Sequence, residues 1–198
     1  MKAEEINTIF REAITDYHLH DHVDAVRPDR HEGFQALLYL KNWIDTVQWH
    51  LEDIIRDPAI NPAELVAIKR RIDASNQHRT DTVEQIDEWL FHSLEGVKPL
   101  ENARLNSETP AWLLDRMSIL QLKIYHFLEQ LQRTDASPAH LDSVKQKLYI
   151  LQIQEEDLAL AYNELMEDLR SGRKYMKLYK QMKMYNDPDL NPIFYEKK

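Results

Sequence analysis

Residues 138–171 read PAHLDSVKQKLYILQIQEEDLALAYNELMEDLRS, and this stretch decides the fold. Ser137 before Pro138 is typical of a helix start, because serine accepts a hydrogen bond from the first turn and proline has no N–H to satisfy. Apolar residues then recur in steps of three and four, with Glu155 as the one charged member of the series: Leu141, Val144, Leu148, Leu151, Leu158, Tyr162, Leu165 and Leu169. This heptad spacing predicts one helix of about 50 Å over 138–171, closed by Gly172.

The same helix-start signals recur along the rest of the chain. Asn61-Pro62 and Thr109-Pro110 each place a capping residue before a proline. The sequence contains three glycines and eight prolines, which leaves long stretches without a helix breaker. Further helices are predicted near 3–18, 34–56, 62–93 and 110–133, with a short C-terminal helix over 174–184. We therefore predict a single all-α domain over 1–198, an antiparallel helical bundle of five main helices.

The composition restricts the classes of site and partner that the protein can have. The absence of cysteine excludes disulfides, zinc–thiolate sites and a cysteine nucleophile. The first residues, MKAEEINTIF, are acidic where a signal peptide is basic, and no apolar stretch is long enough to span a bilayer. We therefore expect a cytoplasmic protein without a membrane partner. The net charge of −9 would repel nucleic acid, so a nucleic-acid partner is not expected.

The C-terminal segment 172–198 has the opposite character. Its first part reads GRKYMKLYKQMKMY, which combines five cations with tyrosine and methionine and contains no acidic residue. One interpretation is that this basic segment docks on the acidic body, with the lysine stems covering apolar surface. The other is that it serves as an adaptable surface for a partner, including a second copy in a homo-oligomer.

The third predicted helix contains a polar break in its apolar stripe. Asn76 and Arg79 occupy two successive positions of the stripe Ile68, Ile72, Val83, Ile86 and Leu90. Burying an unpaired guanidinium costs several kcal/mol, so Arg79 needs a partner or a cavity. Glu155, the charged residue of the long helix, is the predicted partner.

Charged and imidazole side chains on two other helices extend this site. Asp45, Trp49, Glu52 and Arg56 share one face of the second helix, and Asp115 and His126 share a face of the fourth. We predict an interhelical pocket for an anionic small molecule, with Arg173 and Lys174 at its mouth. Its candidate ligand-binding residues are Asp45, His50, Asp53, Asn76, Arg79, Asp115, His126, Arg173 and Lys174.

A metal site and an enzymatic activity have less support from the sequence. His18 and His22 could meet on a helix beside Asp21 or Asp24, but histidine is favoured at a helix C-terminus in any case. No Glu-x-x-His pair, phosphate loop or other catalytic motif occurs. No dedicated metal site is predicted, and whether the chain uses a cofactor or is an enzyme is left open. The alternatives are an interaction protein and a metal-dependent hydrolase using His50, Asp53, Asp115 and His126.

Several longer motifs together resemble one family. They are WHLEDIIRD (49–57), KRRID (69–73) followed by SNQ (75–77), ETPAW (108–112), DRMSIL (115–120) and the tail from Gly172 to Pro192. Over essentially the whole chain the sequence resembles the uncharacterised bacterial family known as domain of unknown function 4254. The resemblance implies a bacterial, cytoplasmic, helical protein and brings no activity or catalytic residue. An association of such proteins with cell-envelope glycosyltransferases would suit a phosphorylated sugar or a nucleotide as the ligand.

Overall fold

The computed structural model describes residues 1–184 and 187–196. The long helices are α1 (Ala3–His18), α2 (Gly33–Ile54), α3 (Pro62–His92), α4 (Pro110–Leu131) and α5 (Pro138–Arg170), and a short helix α6 covers Pro192–Tyr195. Two-residue strands β1 (Arg104–Leu105) and β2 (Lys174–Tyr175) complete the fold. The predicted all-α bundle of five main helices is confirmed. Within the described residues, none of the helices combines the length and the apolar character needed to cross a bilayer.

The predicted capping residues stand at the helix starts. Asn61 accepts a hydrogen bond from the Ala63 amide at 2.8 Å, and Ser137 accepts one from the His140 amide at 3.2 Å. The Thr109 hydroxyl instead donates to the buried carboxylate of Asp87 at 2.6 Å, which ties the start of α4 to α3. Local capping chemistry therefore accounts for the starts of α3 and α5, whereas the start of α4 is held by a contact with α3.

Helix α4 lies at the centre of the bundle and contacts α1, α2, α3 and α5. Most of the apolar series on α5 is buried inside the chain, at Val144, Leu148, Leu158, Tyr162, Leu165 and Leu169. All of these side chains except Val144 belong to the same core as residues of α1 and α4. The heptad seam thus packs against other helices of the same chain, and the homo-oligomer stays a prediction.

The direction of the helices matters for the site. Helices α2 to α5 alternate in direction along the chain, and the connections from α2 to α3 and from α4 to α5 are short, as in antiparallel helix pairs. Helix α1 runs parallel to α2, because both run parallel to α4. Between α1 and α4 the contacts pass from Arg11–Gln121 to His18–His126, and between α2 and α4 they pass from Asn42–Ser118 to His50–His126. The long connection 19–32 makes this possible. As a result, the C-terminal ends of α1, α2 and α4 lie at the same end of the bundle.

The prediction of a helix over 174–184 is wrong. Residues 174–175 form β2, which pairs in parallel with β1 in the register Arg104 to Lys174. The Asn106 amide donates to the Tyr175 carbonyl at 2.9 Å, and residues 176–184 follow without helical structure. Backbone pairing with the segment before α4 replaces the helical hydrogen bonds that the local sequence favours.

The basic segment lies along α3. Lys180 is 3.3 Å from Glu88, the Gln181 amide donates to Glu84 at 3.0 Å, and the Lys183 ammonium donates to the Thr80 hydroxyl at 2.6 Å. Residues 172–183 are therefore docked on the acidic body. Positions 185, 186, 197 and 198 lie outside the described residues.

Gly172 joins α5 to this segment in a left-handed conformation, with φ of +72°. A Cβ atom at this position would lie 2.6 Å from the Lys98 carbonyl oxygen. The predicted helix end at Gly172 therefore needs glycine for two reasons, the backbone angle and the close approach of another backbone.

Candidate functional site

Three histidines from three helices meet at the end of the bundle where α1, α2 and α4 terminate. His18 is the last residue of α1, and His50 and His126 lie in the last turns of α2 and α4. Each offers one ring nitrogen such that the three nitrogens lie within 4.8 Å of one another. The Nε2 atoms of His18 and His50 are 3.2 Å apart. The parallel direction of these helices brings together residues that are distant in sequence.

Hydrogen bonds at the other ring nitrogen orient two of the rings. Nδ1 of His18 lies 2.7 Å from the Ile14 carbonyl, and since a carbonyl oxygen can only accept, this nitrogen donates and Nε2 is the nitrogen that faces His50. Nδ1 of His126 lies 2.7 Å from Glu129, which leaves Nε2 of His126 buried without a hydrogen-bond partner. Metal-ligating histidines are held in this way, by a carbonyl or carboxylate on the nitrogen that does not bind the ion.

Aromatic packing fixes the rings further. Tyr17 stacks on His50 at a centroid distance of 4.9 Å, and Trp49 stacks on His126 at 5.0 Å. Burial, with His18 and His126 close by, lowers the pKa of His50, so its ring is neutral at pH 7. Burial also raises the pKa of Tyr17 to about 12, so its hydroxyl stays protonated. His50 thus presents a neutral imidazole, which is the form that binds metal ions.

The spacing of these nitrogens suits a transition-metal ion. Two nitrogen ligands of a tetrahedral zinc ion, each at about 2.1 Å, lie about 3.4 Å apart. The 3.2 Å between His18 and His50 matches this separation. Imidazole donors suit zinc, iron, nickel and copper ions. The three-histidine cluster is therefore a candidate metal centre.

A second polar group joins α2, α3 and α4 in the interior. Lys41 is completely buried, and its ammonium contacts Asp45 and lies 2.9 Å from Asp115. Arg79 forms a fork with Asp115, at 3.0 Å from Nε to Oδ1 and 2.6 Å from Nη2 to Oδ2, and its Nε is 3.2 Å from Asp45. The Ser118 hydroxyl donates to Asp45 at 2.6 Å. Two cations and two carboxylates compensate one another in this buried charge network.

A cavity of about 280 Å³ opens above the buried charge network. Its lining combines an apolar wall with charged groups: Asp45, Gln48, Trp49, Glu52, Asp53, Arg56, Arg79, Ile119 and Leu122. The predicted face of the second helix, from Asp45 to Arg56, lies in this lining. Trp49 separates the cavity from the three-histidine cluster, since its indole lines the cavity and stacks on His126.

The structure divides the predicted pocket residues among three places. Asp45, Arg79 and Asp115 meet in the buried charge network, and Asn76 lies beside it, accepting a hydrogen bond from Gln48 at 2.8 Å. Asp53 lies on the cavity rim, whereas His50 and His126 lie in the histidine cluster.

The placement of Arg173 and Lys174 at the pocket mouth is wrong. Both contact Asp168 near the end of α5, because strand β2 holds them there.

The predicted partner of Arg79 is also wrong. Glu155 accepts hydrogen bonds from Arg11 at 3.1 Å and from Gln121 at 2.8 Å, on the opposite side of α4 from Arg79. Sequence reasoning missed Lys41, although its position one turn before Asp45 on an apolar helix was a usable signal. The sequence analysis paired His18 with its neighbour His22, but the ring of His22 instead accepts a hydrogen bond from the Asp24 amide.

The fold and these sites define a helical bundle with a candidate three-histidine metal centre and a separate polar cavity. The chain belongs to the family described as protein of unknown function (DUF4254), whose model matches residues 35–178. His50, His126 and the buried charge network fall within the matched residues, and His18 precedes them. No curated protein and no solved structure matches the chain.

Proposed function

We propose that the protein binds a divalent transition-metal ion through His18, His50 and His126. The observation that carries this proposal is the convergence of the three imidazoles, two of them with Nδ1 already engaged and one, His126, with a buried Nε2 that has no hydrogen-bond partner. A buried nitrogen with an unused lone pair, as in His126, is costly unless it gains a partner. A metal ion would provide that partner for all three rings.

The chemistry that such an ion supplies is the activation of water. Catalytic metal centres combine three protein ligands with a position for water, and the ion lowers the pKa of that water to about 7. The ring of His50 remains partly exposed, with 21% of its side-chain surface accessible, so water can reach the cluster. We therefore propose a metal-dependent hydrolase, whose chain residues hold the ion through neutral rings.

The metal content of the purified protein tests this proposal. Protein made without a histidine tag is expected to retain about one ion per chain, as three protein ligands bind one metal. His126→Ala is expected to lose it, because one of three donors is removed and the Trp49 face is exposed. His22→Ala, which changes an exposed histidine outside the cluster, serves as the matched control. Equal metal content in the His126→Ala and wild-type proteins, measured by inductively coupled plasma mass spectrometry, would contradict the proposal.

A second function, the binding of an anionic small molecule, has support at the cavity. The Arg79 side chain is 27% exposed and lines it, and Nη1 of Arg79 makes no hydrogen bond among the described residues. This nitrogen could donate to a phosphate or carboxylate oxygen, and Trp49 with Leu122 would contact the body of a phosphorylated sugar or a nucleotide.

Thermal shifts with glucose 1-phosphate and ADP test the anion-binding function. We expect both compounds to raise the melting temperature of the wild-type protein and not that of Arg79→Lys, because lysine keeps the charge and loses the free donor. Arg116→Gln is the control, since Arg116 is exposed and lies outside the cavity lining. Identical shifts in wild-type protein and Arg79→Lys would exclude this binding mode.

A further inference from the structure

We propose that Asp21 supplies a carboxylate oxygen ligand at the three-histidine centre, so that the ion is held by three nitrogens and one oxygen. This inference rests on the proposed metal-binding function and names the donor set and the class of ion. It assigns a role to a residue that lies just beyond the end of α1.

The Asp21 carboxylate lies next to the Nε2 atom of His50. Oδ1 of Asp21 is 4.0 Å from Nε2 of His50, the nitrogen that is also 3.2 Å from His18. Ligands of one ion are separated by about 3.4 Å at a tetrahedral angle and by up to about 4.2 Å when they lie on opposite sides. The distance to His50 falls within this range, and the Asp21 side chain, 62% exposed, has room to turn toward the other two rings.

The other acidic residue of this connection is engaged elsewhere. Asp24 lies 2.9 Å from Arg71, which neutralises it. Among the described residues, Asp21 forms no ion pair with a lysine or arginine, and its charge acts on the cluster itself. A cation at the cluster would compensate this carboxylate.

The backbone at Asp21 is unusual for a residue with a side chain. Its φ is +47°, and its amide donates to the Tyr17 carbonyl at 2.9 Å, which closes α1. Glycine is the ordinary residue at such a helix end, because a Cβ atom is disfavoured in the left-handed region. Residues held in such conformations cluster at active sites and ligand clamps. Here an aspartate occupies the glycine position and brings a carboxylate to the histidines.

The donor set indicates the class of ion. Imidazole suits iron, nickel and zinc, whereas carboxylate oxygen suits manganese and other hard ions. A set of three nitrogens and one oxygen without sulfur therefore favours a divalent ion from manganese to nickel over Cu⁺. Such ions accept five or six ligands, so four protein donors leave one or two positions for the water that the proposed hydrolysis requires.

Titration of the full-length protein with Co²⁺ tests the role of Asp21. We expect Asp21→Asn and Asp21→Gly to bind Co²⁺ at least about 10-fold more weakly than wild type, because even outer-shell partners contribute 10- to 100-fold. The d–d absorption of bound Co²⁺ should change as the carboxylate leaves. Asp24→Asn is the matched control, and its affinity should equal that of the wild-type protein.

The glycine variant separates binding from folding. Asp21→Gly relieves the left-handed conformation, so its melting temperature without metal should equal or exceed that of wild type. A weakened Co²⁺ affinity in this variant supports the ligand role. Wild-type affinity in both Asp21 variants, with binding lost in His126→Ala, overturns the role of Asp21 and leaves the metal centre. Absence of Co²⁺ binding to the wild-type protein overturns both.

Discussion

Replacing Asp115 with alanine is expected to lower the free energy of unfolding by about 3–5 kcal/mol, the usual loss when one partner of a buried ion pair is removed. Asp115 accepts both arms of the Arg79 fork and lies 2.9 Å from the Lys41 ammonium. Without it, two cations share the single carboxylate of Asp45. Lys41 is completely buried, so water cannot take the place of the lost oxygen.

Urea denaturation with a surface control measures this effect. Asp142 forms an ion pair with Lys145 at 3.3 Å, but 70% of its side chain is exposed, so Asp142→Ala should change stability by less than about 1 kcal/mol. Asp115→Asn keeps the shape and one acceptor and should fall between the two. A loss below about 1 kcal/mol for Asp115→Ala would show that the network contributes no more than a surface pair.

The buried charge network also explains which part of the site could be predicted. The polar break at Arg79 was visible, because a guanidinium within a periodic apolar stripe is a local conflict. The partner of Arg79 could not be predicted, since several carboxylates lie at positions that could face α3. The packing of α4 against both α2 and α3 selects Asp115, whereas Glu155 faces α1 and contacts Arg11.

The helices themselves could be predicted because their signals are local. The predicted spans 62–93 and 138–171 differ from α3 and α5 by one residue at their ends, where proline starts and capping residues mark the boundaries. The segment 174–184 has helix-forming residues and lacks such marks. Its structure depends on strand β1 and on carboxylates of α3 distant in sequence, so tertiary contacts override local propensity.

The histidine cluster had no local signal at all. His18, His50 and His126 are far apart in sequence and meet because α1 runs parallel to α2 and α4. That direction follows from the long connection 19–32, which lets the chain return along the bundle before α2 begins. A sequence with short connections throughout would alternate in direction and would separate His18 from His50.

Binding of Co²⁺ at the histidine cluster is expected to produce the largest gain in stability. A ligand that binds the native state stabilises it by about 4.1 kcal/mol when its concentration is 1,000 times the dissociation constant. For a chain of this size, 1 kcal/mol shifts the melting temperature by about 2–4 °C, so the expected rise is roughly 8–16 °C. Differential scanning calorimetry with and without EDTA measures it.

The triple variant His18→Ala, His50→Ala, His126→Ala tells specific binding from binding to scattered surface histidines. It keeps six of the nine histidines, including the exposed His20 and His22. Because metal bound by surface histidines also binds the unfolded chain, it adds little stability. We therefore expect Co²⁺ to leave the melting temperature of this variant unchanged, whereas an equal rise in variant and wild type would place the ion elsewhere.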